Sequence, residues 1–162
     1  MVLKGTGDAR NLRIAIVVSR YNDFVTDKLR DGAIEALRNA GAPESAIDVF
    51  EAPGAYEVPQ VARVAARTGH YDAVVCLGCR IRGETAHFDY ISQAVSHGIM
   101  TASAETEVPM TFGVLTTESA EQALARAVPG PENKGWEAAM AAIEMATLKR
   151  AVREAGSRSA GW

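Results

Sequence analysis

The chain has 162 residues, of which 48% are hydrophobic and 23% charged, and this composition is typical of one ordinary globular domain. Its 17 Lys and Arg against 20 Asp and Glu give a net charge of −3, which argues against a nucleic-acid-binding protein. No apolar run approaches the ~20 residues of a membrane-spanning helix, and residues 1–10 hold no apolar signal region. Two cysteines are too few for a disulfide framework, so we expect a cytoplasmic, reduced protein with no nucleic-acid or membrane partner.

Four short apolar runs alternate with helical patterns along the chain. Their β-branched residues are typical of strands that are buried on both faces. The four runs are 14–18, 47–50, 73–77 and 110–115. The order βαβαβαβαα predicts an α/β protein, a single-domain three-layer αβα sandwich around a four-stranded parallel sheet.

Polar residues and glycines indicate where the helices begin and end. Thr26 is the predicted cap of the first helix, which stops at Gly41. Thr117 is the predicted cap of the short helix through Leu124, and the last helix opens at Asn133.

Ligands bind open parallel sheets beyond the carboxyl ends of the strands, so the segments after the strands are where a site is expected. These segments are 19–22, 51–57, 78–87 and 116–117. Tyr21 and Tyr56 fall just past strand ends, where they are suited to stack on a planar ligand. Glu57 would accept hydrogen bonds from hydroxyl or amino groups of that ligand.

The segment Arg82-Gly83-Glu84-Thr85 has the features of a phosphate or carboxylate site. Its glycine lets the backbone approach a ligand, and the following helix start offers unpaired N–H groups. Arg80 and Arg82 add positive charge, although alternate strand residues need not both face one ligand. The other interpretation is a glycine turn with solvated arginines, and the sequence leaves both open.

The three histidines have different surroundings in the sequence. His87 opens a helix directly after the candidate anion site, where an imidazole can transfer protons near neutral pH. His70 follows a glycine in a loop and is interpreted as a surface residue, and His97 lies mid-helix and is interpreted as structural or exposed.

Cys76 and Cys79 form a C-x-x-C motif inside a predicted strand. Residues i and i+3 of a strand point to opposite faces, about 10 Å apart, which is too far for a disulfide. No second cysteine pair completes a zinc site, so we expect neither redox nor metal function. Motifs for dinucleotide binding, for a P-loop and for an acyl-transfer serine are also missing from the sequence.

Five blocks of sequence resemble the 6,7-dimethyl-8-ribityllumazine synthase family, in the family's order and with similar spacing. They begin with Arg-Tyr-Asn-Asp-Phe at 20–24 and end with Asn-Lys-Gly at 133–135. Between these two lie the blocks at 53–59, 81–90 and 112–118. The resemblance runs from about residue 5 to residue 150 and implies a flavodoxin-like fold.

This resemblance implies an enzyme that condenses 5-amino-6-(D-ribitylamino)uracil with 3,4-dihydroxy-2-butanone 4-phosphate. The amine attacks the ketone, water leaves, phosphate is eliminated and ring closure gives the lumazine, the penultimate step of riboflavin biosynthesis. The reaction needs no metal and no organic cofactor. Two alternatives remain open: a non-catalytic shell-forming or flavin-binding protein of this fold, and the homologous archaeal-type riboflavin synthase.

The resemblance also assigns roles to individual residues. His87 matches the proton-transfer residue, and Tyr21 the residue that stacks on the pyrimidine. Phe112 matches a residue that reaches in from the adjacent subunit, and Arg126 the arginine that pairs with the phosphate. The remaining substrate-binding matches are Asn22, Ala55, Tyr56, Glu57, Cys79, Arg80, Ile81, Glu84, Thr85 and Lys134.

The family's sites lie between subunits of a pentamer, which often assembles further into a sixty-subunit shell. We expect the domain to occupy 13–155, with 1–12 contacting a neighbouring subunit and 156–162 forming a flexible tail. Two departures bear on these expectations. Arg80 stands where the family commonly has an aliphatic residue, and the loop at 128–132 replaces a Gly-Thr-Lys-Ala-Gly stretch near the assembly contacts.

Overall fold

A computed structural model describes residues 1–83 and 86–159 of the chain. Four strands form one parallel sheet in the order β2-β1-β3-β4. They are β1 (Ile14–Ser19), β2 (Ile47–Ala52), β3 (Ala73–Ile81) and β4 (Met110–Thr117). The helices are α1 (Asp23–Asn39), α2 (Val58–Arg67), α3 (His87–Thr106), α4 (Ala120–Ala125) and α5 (Lys134–Ser159). The predicted βαβαβαβαα order and parallel sheet are confirmed.

The sheet separates two apolar cores, which confirms the three-layer sandwich. Leu29 of α1 and Ile143 of α5 pack on one face, whereas Val58 of α2 and Val95 of α3 pack on the other. Both faces of the central strands are covered, because alternate residues of β1 and β3 enter opposite cores and are almost fully buried. This burial explains why those strands read as continuous apolar runs.

The predicted start of the first helix is wrong. Helix α1 begins at Asp23 rather than after Thr26. The residue directly before the helix is Asn22, whose backbone is left-handed with φ 64°. Thr26 lies inside the helix, fully buried, and its hydroxyl donates a 2.7 Å hydrogen bond to the Ser19 carbonyl. The threonine therefore joins the helix to the end of β1 instead of capping it.

The predicted cap of the short helix is also wrong, whereas the start of the last helix agrees with the prediction. Ser119 caps α4 by accepting a hydrogen bond from the Gln122 N–H, and Thr117 is the last residue of β4. Asn133 precedes α5, and its Oδ1 accepts from Gly135 and Trp136 N–H groups at 2.7 and 3.2 Å. Helix α5 then continues to residue 159, and 160–162 of the expected tail lie outside the described residues.

Strand β3 is longer than its apolar run, and this extension matters for the site. The strand continues past Leu77 to Ile81, so Cys79 and Arg80 are strand residues that pair with Leu115 and Thr116 of β4. Within the described ranges, no helix combines the length and apolarity needed to cross a membrane.

Candidate active site

A cavity of about 340 Å³ opens beyond the carboxyl ends of β1 and β3. We call it the tyrosine cavity, and its lining residues are Tyr21, Pro53, Gly54, Ala55, Tyr56, Glu57, Cys79, Arg80, His87 and Ile91. Tyr21 and Tyr56 are 66% and 63% exposed, so both rings are available to a ligand rather than packed in a core. The predicted planar-ligand residues therefore meet in one place, at the end of the sheet where a site was expected.

Two polar atoms of the tyrosine cavity have no hydrogen-bond partner among the described residues. Glu57 Oε2 and Arg80 Nε are each buried and unsatisfied. Burying such groups without partners is unfavourable, so they indicate the chemistry of what the cavity receives. Glu57 offers an acceptor to hydroxyl or amino groups, and Arg80 offers a donor and a positive charge.

His87 is the first residue of α3 and is exposed at the mouth of the tyrosine cavity. Ile91 lines the same cavity, although the sequence analysis did not identify it as a site residue. The signal that identifies it is spacing, because residues i and i+4 lie on one face of a helix and Ile91 is four residues after His87. A histidine on an apolar wall can move protons close to a bound ligand.

The candidate anion segment is anchored by Arg82. Its guanidinium donates to Glu118 at 3.1 Å and to Asp89 at 3.2 Å, and these bonds raise the pKa of Arg82 above its ordinary value. Arg82 thus ties the end of β3 to β4 and to the start of α3. Glu84 and Thr85, which the sequence assigned to substrate binding, lie outside the described residues.

Three further predicted residues, Asn22, Cys79 and Ile81, lie near the carboxyl ends of β1 and β3. The Asn22 side-chain amide donates to the Cys79 carbonyl at 2.9 Å, which links the start of α1 to β3. The Cys79 side chain packs in the α1–α5 core, so only its other atoms face the cavity, and Ile81 packs against that same core. Neither Asn22 nor Ile81 is among the residues that line the tyrosine cavity.

A second cavity, of about 460 Å³, lies along β4 at the edge of the sheet. We call it the edge cavity, and it is lined by Phe112, Arg126 and Lys134 together with residues of β4 and α5. Phe112 is 50% exposed, and the Arg126 guanidinium donates to the Gln122 carbonyl at 2.9 Å. Lys134 pairs at 2.8 Å with Glu137, which sequence reasoning missed although its i,i+3 spacing from Lys134 was visible.

The predicted site residues therefore fall into two groups within one chain. Tyr21, Tyr56 and His87 line the tyrosine cavity, whereas Phe112 and Arg126 line the edge cavity. Among the residues that the structure describes, none lines both cavities. One copy of the chain therefore carries these two groups in separate cavities.

The thiols of the two cysteines are buried on opposite faces of β3. Cys76 lies in the α2–α3 core and Cys79 in the α1–α5 core, which confirms that they point to opposite faces of β3. Burial raises the pKa of Cys76 to about 12 and that of Cys79 to about 11, so both thiols stay protonated. In the described part of the chain, no three His, Cys, Asp or Glu side chains come together as metal ligands.

The fold and the two cavities define an α/β protein with exposed tyrosines, a histidine and cationic groups at the carboxyl end and edge of its sheet. A sequence model of the 6,7-dimethyl-8-ribityllumazine synthase family matches residues 11–150. The chain is 51% identical to the 6,7-dimethyl-8-ribityllumazine synthase of Chlorobium phaeobacteroides (strain BS1), over 93% of its length and 97% of that relative. It is 52% identical, with the same coverage, to the enzyme of that name from Chlorobium phaeovibrioides (strain DSM 265 / 1930). The chain belongs to the 6,7-dimethyl-8-ribityllumazine synthase family.

Proposed function

We propose that this chain condenses 5-amino-6-(D-ribitylamino)uracil with 3,4-dihydroxy-2-butanone 4-phosphate to form 6,7-dimethyl-8-ribityllumazine. The observation that carries the proposal is the convergence of Tyr21, Tyr56, Glu57 and His87 on one cavity in a member of this family. A uracil ring has the flat face that tyrosines stack on, and a ribityl chain has the hydroxyl groups that the free Glu57 oxygen accepts.

In this reaction the pyrimidine's amine attacks the butanone carbonyl, and the carbinolamine loses water to give an imine. Proton removal from carbon and departure of the phosphate follow, and ring closure expels water. We assign the proton transfers to His87, which is exposed at the mouth of the tyrosine cavity. Tyr21 and Tyr56 orient the ring so that its amine approaches the ketone.

We further propose that each complete site joins the tyrosine cavity of one copy to the edge cavity of a second copy. The edge cavity supplies Phe112 to cover the ring, and Arg126 and Lys134 to bind the phosphate. Exposed Phe112 on an edge strand, with an arginine that has no carboxylate partner among the described residues, supports this arrangement. A pentameric ring of identical copies would repeat this contact at each interface between neighbours, and a shell of sixty copies built from such pentamers would contain the same contact.

The N-terminal segment fits an assembly of this kind. Met1 and Val2 are 100% and 83% exposed, and the chain behind them is fixed to α5 by a 2.8 Å bond from the Thr6 N–H to Thr147 Oγ1. We propose that residues 1–12 contact a neighbouring copy. A cytoplasmic location is also proposed, on the basis of two cysteines that are free and buried.

The decisive experiment supplies both substrates to the purified full-length protein and follows lumazine absorbance together with inorganic phosphate. We expect both products to form at equal rates and well above the uncatalysed rate. A rate equal to that of heat-denatured protein would contradict the proposed activity and favour a non-catalytic shell-forming or flavin-binding role. In a parallel assay the protein receives 6,7-dimethyl-8-ribityllumazine as its substrate. Consumption of that lumazine, without phosphate release from the butanone phosphate in the first assay, would indicate the riboflavin synthase reaction instead.

A further inference from the structure

Two arginines at the end of β3 share one aromatic ring but differ in their ion pairs. The guanidinium carbons of Arg80 and Arg82 lie 5.6 and 4.6 Å from the centre of the Phe88 ring. Arg82 is neutralised by Asp89 and Glu118, at 3.2 and 3.0 Å. Arg80 forms no ion pair with any residue that the structure describes, and its Nε has no hydrogen-bond partner there.

The direction of Arg80 follows from the strand. Its neighbour Cys79 packs into the α1–α5 core, and since strand residues alternate, Arg80 points to the opposite face, where it lines the tyrosine cavity. Phe88 is 8% exposed, so the ring that holds the guanidinium is itself fixed in the fold. Arg80 is thus a positioned cation rather than a mobile surface charge.

A guanidinium in this setting favours an anion over a neutral polar group. Arg82 is already paired with two carboxylates, whereas Arg80 forms no ion pair with a carboxylate among the described residues. Phosphate oxygens match the planar fork of an arginine and can accept two of its N–H groups at once. The pyrimidine substrate is a neutral ring with a hydroxylated side chain, and it has a different partner available. Glu57 Oε2 is an acceptor in the cavity with no hydrogen-bond partner among the described residues.

We propose that the Arg80 side chain binds the phosphate group of the phosphorylated substrate, from the same copy that supplies His87. Arg126 of the edge cavity would then hold that phosphate from its other side. This inference rests on the proposed function, and it makes Arg80 a specificity-determining residue for the butanone phosphate. Arg82 is the weaker candidate for this role, because its Nε and Nη2 already donate to Glu118 and Asp89, which offset its charge.

The test compares Arg80→Gln with wild type, using inorganic phosphate as the probe of binding and the two substrates as probes of turnover. We expect Arg80→Gln to weaken inorganic phosphate binding, measured by calorimetry, and to raise the KM for the butanone phosphate, each by about 10-fold. The KM for the pyrimidine should change by less than about 2-fold, because its contacts do not depend on this charge. Arg80→Lys should lie between wild type and Arg80→Gln, since it keeps the charge but loses the planar fork.

Arg67→Gln is the matched control, because Arg67 is an exposed residue in the last turn of α2 and lines neither cavity. It removes the same charge and should leave all three values unchanged. Unchanged phosphate binding in both Arg80 variants would overturn the proposal, and so would a rise in the pyrimidine KM alone. If Arg80→Gln does not fold by circular dichroism, Arg80→Lys decides the question by the same measurements.

The failure of this inference can be distinguished from the failure of the proposed function, because phosphate binding tests the first and lumazine formation tests the second. A wild-type protein that binds phosphate through Arg80 but forms no lumazine would contradict the function and leave the binding role standing. A wild-type protein that forms lumazine, with phosphate binding unchanged in the Arg80 variants, would support the function and contradict the binding role of Arg80.

Discussion

The tyrosine cavity and the edge cavity lie on the same sheet but are built for different chemistry. The tyrosine cavity has two exposed aromatic rings, a histidine and an unsatisfied carboxylate oxygen, which suit a flat ring and proton transfer. The edge cavity has one exposed phenylalanine, an arginine and a lysine, which suit an anion. Under the proposed function each cavity supplies half of a site, because a condensation of a ring with a phosphate ester needs both sets of groups.

The largest effect should come from His87, which belongs to the tyrosine cavity alone. His87→Ala should lower kcat by about 10- to 1000-fold, because general acid–base catalysis is lost while a spontaneous reaction continues. His70→Ala is the matched control, since His70 is an exposed loop residue that lines neither cavity. Steady-state rates with both substrates make the measurement, and equal rates for the two variants would remove His87 from the mechanism.

Mixing two defective variants tests whether the halves come from different copies. Arg126→Ala should damage the edge cavity alone, raising the KM for the butanone phosphate by about 10-fold. In a randomly mixed ring, co-expressed His87→Ala and Arg126→Ala chains form an intact pair of halves at about a quarter of the interfaces. With the butanone phosphate held well below its wild-type KM, activity should therefore be about a quarter of wild type, above the average of the two parents. A mixture no more active than the sum of its parents would place both cavities' functions within one copy.

A smaller effect is expected where the edge cavity is attached to the rest of the fold. Asn133 is 1% exposed, accepts bonds from the first turn of α5 and donates to the Lys28 carbonyl at 3.1 Å. Asn133→Ala should lower the free energy of unfolding by about 2 kcal/mol, because a helix cap and a link between helices are lost together. Urea unfolding makes the measurement.

The two cavities should also respond differently to that change. Lys134 follows Asn133 directly, so the KM for the butanone phosphate should rise while the KM for the pyrimidine stays constant. Asn39→Ala, at the exposed end of α1, is the control and should leave stability and both KM values near wild type. An equal rise in both KM values would mean that the cavities are mechanically coupled rather than separate.

The sequence was sufficient to predict the layers of the fold, but not the local contacts that place the site. The apolar runs predicted every strand, and alternation placed Cys76 and Cys79 on opposite faces of β3, because both signals are local and periodic. Thr26 was misassigned because its hydroxyl bonds to the Ser19 carbonyl, which lies in another element. The difference between Arg80 and Arg82 was equally invisible, since Glu118 is 36 residues from Arg82 along the chain.

The smallest effect concerns β3, the strand that carries residues of the tyrosine cavity and pairs with the strand of the edge cavity. Burial raises the pKa of Cys76 and Cys79 from 9.0 to about 12 and 11 in the folded protein, while the unfolded chain keeps ordinary thiols. The unfolded state therefore loses protons first as the pH rises above about 9, and the folded state loses stability from there towards pH 11 to 12.

Urea midpoints at pH 8 and pH 10 measure this loss, and Cys76→Val, which keeps a similar volume without a thiol, should show a smaller fall than wild type. A thiol reagent at pH 8 should label neither cysteine in the folded protein and both in urea. Rapid labelling of Cys79 alone would mean that the tyrosine cavity opens through β3 to the α1–α5 core. That result would contradict the placement of the Cys79 side chain in the α1–α5 core, beside a cavity that its strand helps to line.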